Sequence, residues 1–140
     1  MAYDKTKLEA LKKYLKMDLD NAIEQKDDNT FDVDNGKKEY LIMTDEEATE
    51  YVKEKIEKEL WTFQADFIIE HSKLTFESVE MVKVFQEKKC EDANDTIKAL
   101  IEDLPEFIED AIGMDGRGHF ISSYDGAENE QDGLFIYRTN

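Results

Sequence analysis

The densest polar chemistry in the chain lies in Asp115-Gly-Arg-Gly-His-Phe-Ile-Ser-Ser-Tyr-Asp-Gly126. Arg117, His119, Tyr124 and Asp125 are residue types that line small-ligand sites, and the interleaved glycine amides suit an anion-binding nest. The same residues also have a plain structural use. Glycines allow tight turns, Arg117 pairs with a carboxylate such as Asp115 or Asp125, and His119 donates to a backbone carbonyl. The structural use is favoured, because no strand-to-helix phosphate-loop context precedes these glycines.

Other reactive constellations fail on spacing. His71, His119 and Cys90 stand too far apart for a zinc site. A calcium loop with Gly36 as its sixth residue places Phe31 and Val33 where oxygen ligands belong and leaves Asp32 and Asp34 out of register. Cys90 lies in an acidic neighbourhood, which disfavours a nucleophilic thiolate, while Ser122 and Ser123 lack a nucleophile-elbow context. His71 is expected at a helix end, meeting the last carbonyls. No catalytic residue, metal or cofactor is expected, and the chain reads as a binding protein rather than an enzyme.

What stands out instead is charge. Thirty-five acids oppose eighteen bases, for a net charge of −17. Such a field repels nucleic acid and anionic membranes and attracts basic partners, including the cationic channels in which enzymes hold DNA or RNA. Residues 91–132 concentrate it, with thirteen acids and two bases. An acidic run usually serves solubility. The sharper reading is mimicry of DNA by carboxylates held at phosphate-like spacing, and its contact residues would be Glu102, Asp103, Glu106, Glu109, Asp110, Asp125, Glu128 and Glu130.

These residues need a scaffold, and 140 residues with 40% hydrophobic content can bury a core as one domain spanning 1–140. The single cysteine precludes an internal disulfide and suits a reducing, cytoplasmic setting. No apolar run approaches a signal core or membrane span. The expected class is α+β, predominantly helical, with about five helices and a small antiparallel sheet.

Leu8, Leu11, Leu15, Leu19 and Ile23 recur at helical spacing and predict a first helix from Tyr3 to about Gln25. Phe31–Asp34, Asn35-Gly36 and Lys37–Met43 predict a hairpin on a type I′ turn. Thr44-Asp-Glu-Glu47 is a capping box opening a long helix to about His71. Thr75 can cap a third helix carrying Phe76, Val79, Val82 and Phe85, and Ile97, Leu100 and Ile101 mark a fourth. Pro105 suits the first turn of a fifth, which Gly113 would terminate. A turn-rich segment with a short strand at Phe120–Tyr124 follows, and Leu134–Arg138 is expected to join the hairpin as a third strand.

Two stretches resemble a group of small uncharacterised proteins of bacteriophage and prophage. One is Glu39-Tyr-Leu-Ile-Met-Thr-Asp-Glu-Glu-Ala48 with Leu60-Trp-Thr-Phe63. The other is Asp115–Glu130 with Ile136-Tyr-Arg-Thr-Asn140. The resemblance implies a phage origin and action in the host bacterial cytoplasm. With the charge, it leads to the expectation of an inhibitor of a host defence nuclease, a restriction enzyme or CRISPR effector, acting as monomer or homodimer. Two alternatives are a regulatory or assembly protein binding through an apolar face at Trp61, Phe63 and Phe67, and a nucleotide-signal binder at Arg117 and His119.

Overall fold

Phe31 and Val33 alternate with Thr30 and Asp32, and Tyr40 and Ile42 alternate with Glu39 and Leu41, so each strand turns one apolar row inward. In the computed structural model, which describes residues 5–17 and 22–140, these rows lie on β2 (Thr30–Val33) and β3 (Lys38–Met43). Phe31 faces Tyr40 across the antiparallel pair. Asn35 and Gly36 both take positive φ, and Lys37 N donates to Asp34 O at 3.2 Å, closing the expected tight turn.

The fold is α+β and predominantly helical, with more strands than the three expected. β1 (Ile23–Gln25), β2, β3, β4 (Asn129–Gln131) and β5 (Leu134–Arg138) form an antiparallel sheet in the order β1-β2-β3-β5-β4. β5 joins the hairpin as expected, pairing Ile136 with Ile42. Ile23, assigned to the first helix, instead opens β1 opposite Val33. Helix α1 (Thr6–Leu15) stops because Lys16 turns left-handed at φ 57°, while Met17 N and Lys16 N bond back to the carbonyls of Lys12 and Lys13. Tyr3 and Leu19 of the expected helix lie outside the described residues.

The chain groups into two compact units, Met1–Val52 with Asp115–Asn140, and Lys53–Met114. In the first, Leu11 and Ala10 of α1 pack on the sheet row of Phe31, Val33, Tyr40, Ile42 and Ile136. Helix α2 (Asp45–Lys58) begins here under its capping box: Glu47 N donates to Thr44 Oγ1 at 3.2 Å and Thr44 N to Glu47 Oε1 at 2.9 Å.

In the second unit the long helix to His71 is broken. After α2 comes a 3-10 turn, Leu60–Thr62, then α3 (Ala65–Glu70). The break is stabilised from outside the segment. Asn94 accepts from Trp61 N and donates to Glu57 O, while Gln86 donates to the carbonyls of Trp61 and Phe63. Helices α4 (Val79–Lys89), α5 (Asn94–Leu100) and α6 (Leu104–Asp115) follow. Thr75 makes no side-chain cap, because Phe76–Ser78 forms a 3-10 turn closed through the Thr75 carbonyl. Ile101, placed in the fourth helix, bridges Ser72 in extended form. Pro105 lies in the first turn of α6, but that helix runs past Gly113 and ends where Gly116 turns to φ 82°.

Candidate functional site

In the first unit, Arg117–Ile121 forms a short helix and Ser123–Asp125 a turn, where a strand at Phe120–Tyr124 was expected. Helix α7 (Arg117–Ile121) is held by a close approach of backbones: a Cβ on Gly118 would lie 2.4 Å from Gly126 O and 2.8 Å from Ala127 C. Only glycine fits there. The buried Ser122 hydroxyl lies 2.8 Å from Asp125 Oδ1 and 2.5 Å from Arg138 O, tying the helix end to β5.

Arg117 pairs with neither Asp115 nor Asp125. Its Nη1 donates to Asp45 Oδ1 at 2.7 Å, Asp45 O at 3.1 Å and Thr49 Oγ1 at 3.1 Å, and its Nε to Glu128 Oε1 at 2.8 Å. The guanidinium lies 4.7 Å from the Phe135 ring centroid. Burial alone would lower its pKa, yet the bonds it donates to Glu128 and Asp45 hold it above the ordinary value. Glu128 also accepts from the fully buried Tyr137 hydroxyl, and burial followed by that carboxylate pushes the phenol's pKa upward. Such a network fastens α7 to α2 and β5. Nothing in the sequence marks Asp45 or Thr49 as partners of an arginine about seventy positions away.

The other loop residues point to the same structural use. Tyr124 is exposed and stacks under Arg138, whose guanidinium carbon is 3.6 Å from the ring centroid. Asp125 accepts from Ala127 N at 3.0 Å and from Ser122, bonds that hold its carboxyl below its usual pKa. His119 is exposed, edge-on to Phe120. Arg117, Tyr124 and Asp125 are thus each committed to different protein partners.

The acids of 91–132 divide between the units. Eight lie in Lys53–Met114 and five, including Asp125, Glu128 and Glu130, in the other unit. Glu128 and Asp125 have the internal roles just described; Glu130 is exposed on β4. In the second unit Glu102, Asp103, Glu106, Glu109 and Asp110 are all exposed, at the start of α6 and along its outer side, while Phe107, Ile108 and Ala111 turn inward. Asp103 caps the helix, accepting from Glu106 N at 3.1 Å. Asp110 Oδ2 lies 3.1 Å from His71 Nε2, and that imidazole packs against Phe67 and Phe107 at about 5 Å, so the histidine meets a carboxylate and aromatic rings. Among the described residues, no Lys or Arg pairs with Glu102, Glu106 or Glu109.

Within α6 the rise of about 1.5 Å per residue places Glu106, Glu109 and Asp110 over about 6 Å of axis, roughly one charge per 3 Å against about one per 1.7 Å of duplex axis, with Glu102 and Asp103 just before the helix. Trp61, Phe63 and Phe67, whose exposure would favour binding through an apolar face, are half-buried, with Phe63 and Phe67 packed on the buried Phe107. A groove in this unit lined by Lys73, Leu74, Leu100, Ile101 and Glu102 holds one base and one acid and no nucleophile. Among the described residues, no three His, Cys, Asp or Glu side chains converge as a metal ion requires, and no helix is long and apolar enough to cross a membrane.

Comparison with known proteins finds no match among family models, curated proteins or solved structures.

Proposed function

We propose that the chain is a phage-encoded, non-catalytic inhibitor that occupies the basic nucleic-acid channel of a host defence nuclease in the bacterial cytoplasm. The observation that carries this reading is the acidic face at 102–110. Its carboxylates are exposed, three of them on α6 and two just before it, at a spacing of the same order as the phosphates of a duplex. A channel lined by Lys and Arg loses its counterions to such a face as it does to DNA. The resemblance to phage proteins adds the setting, since a nuclease that attacks incoming DNA is the host enzyme a phage most needs to block.

The geometry narrows the contact set. Glu102, Glu106 and Glu109 face solvent with no basic partner among the described residues, whereas Asp103 and Asp110 also serve the fold. Asp125 and Glu128 are occupied in the other unit, where Glu130 is exposed on β4. The test is a variant carrying Glu102→Lys, Glu106→Gln and Glu109→Lys, with Gln chosen at Glu106 because a cation in the first turn opposes the helix dipole. Tagged wild type is expected to retain a nuclease from bacterial lysate at about 50 mM salt and release it at about 500 mM. The variant, folded by circular dichroism, is expected to retain none and to leave that nuclease's cleavage uninhibited. Equal capture and inhibition by the variant would overturn the proposal.

A further inference from the structure

Helix α4 buries Val82 and turns its opposite side to water. Phe76, at 65% exposure in the turn before it, Met81 at 61% and Val84 at 48% lie within nine residues on this side. Single exposed apolar residues need no explanation, but three adjoining ones on one face do. At steps of three and four, the face reads Glu77, Glu80 and Met81, Val84, Lys88 from start to end. Acids stand at one end, a base at the other, and apolar side chains between.

The charge balance here differs from that of the chain. Residues 76–89 carry Glu77, Glu80 and Glu87 against Lys83, Lys88 and Lys89, and are therefore neutral within a protein of net charge −17. A surface serving only solubility has no reason to be both neutral and apolar. A basic partner gains nothing from it that the acidic faces do not offer better.

We infer that this face pairs with the same face of a second copy, the two α4 helices antiparallel about a two-fold axis between Val82 and Lys83. The arrangement is isologous, as a symmetric dimer requires. Met81 of each copy meets Val84 of the other, and Glu77 of each meets Lys88 of the other. A parallel pairing would set Glu77 and Glu80 against themselves, so the charge pattern selects the antiparallel one. A single helix face covers less than the roughly 800 Å² per partner of a stable complex, so the dimer is expected to be weak and to form only at high protein concentration.

Sedimentation of the full chain from about 5 to about 500 µM, near 150 mM salt, tests this. Wild type is expected to pass from monomer to dimer across that range, and Met81→Ser with Val84→Ser to remain monomeric. Glu77→Lys and Lys88→Glu are each expected to weaken dimerisation about three- to tenfold, and the combined charge swap to restore it. All four positions are exposed, and circular dichroism verifies that each variant is folded. A wild type that stays monomeric, a dimer indifferent to the changes at 81 and 84, or a swap weaker than both single variants would each overturn the inference.

Discussion

Gly118 decides the conformation of the loop that carries the chain's most varied side chains. With no Cβ, it lets α7 approach the Gly126–Glu128 backbone, where any larger residue would force the two apart. That approach places Arg117 against Asp45, Thr49 and Glu128. Gly118→Ala is therefore expected to destabilise the protein by about 1–3 kcal/mol in urea unfolding, the usual range for overpacking a tight contact. Gly113→Ala, at an exposed helical position with no atom within 4 Å of the added Cβ, is expected to stabilise by about 0.5–1 kcal/mol through the backbone entropy of the unfolded chain. Two identical substitutions five residues apart should thus have opposite signs. The presence of a structural arginine was legible in the sequence, because a guanidinium among glycines and acids must find carboxylates. Its partners were not, since they come from distant segments that only the fold brings near.

At the scale of elements, what was legible was what is local. The Thr44–Glu47 capping box and the Asn35-Gly36 turn bond within four residues, so sequence spacing alone specifies them. β1 and β4 are three-residue strands that exist through pairing with β2 and β5, and carry too little alternation to be seen in isolation. The break after α2 is of the same kind. Apolar spacing runs evenly from Ala48 to Phe67, yet the backbone leaves the helix at Glu59 because Asn94 and Gln86 supply the hydrogen bonds it gives up. Asn94→Ala removes both the acceptor for Trp61 N and the donor to Glu57 O, and is expected to cost about 1–3 kcal/mol in urea unfolding. Asn94→Asp keeps the acceptor and loses the donor, so it should fall between wild type and alanine. An alanine variant as stable as wild type would mean that the break is set by the apolar packing of Leu60 and Ala65 instead.

At the scale of the whole molecule, the charge divides almost evenly between the units: nineteen acids against ten bases in one, sixteen against eight in the other. The exposed ion pairs, such as Lys13–Asp132 and Lys83–Glu80, contribute little to stability, and salt screens them. Screening also relieves the repulsion among seventeen unbalanced carboxylates, which acts across every surface of the folded chain and eases when the chain expands. The surplus outnumbers the pairs, so repulsion wins. Raising salt from about 20 to about 500 mM is expected to increase the thermal midpoint, on the order of a few degrees. Capture of a basic channel must respond in the opposite direction, weakening over the same range as the carboxylates lose their advantage over free counterions. Measuring both on one preparation separates the two sources of salt sensitivity. A midpoint that rises while inhibition falls assigns the loss to the interface. A midpoint that falls together with inhibition would show that the exposed ion pairs, not the excess charge, govern the molecule, and would remove salt dependence as support for mimicry.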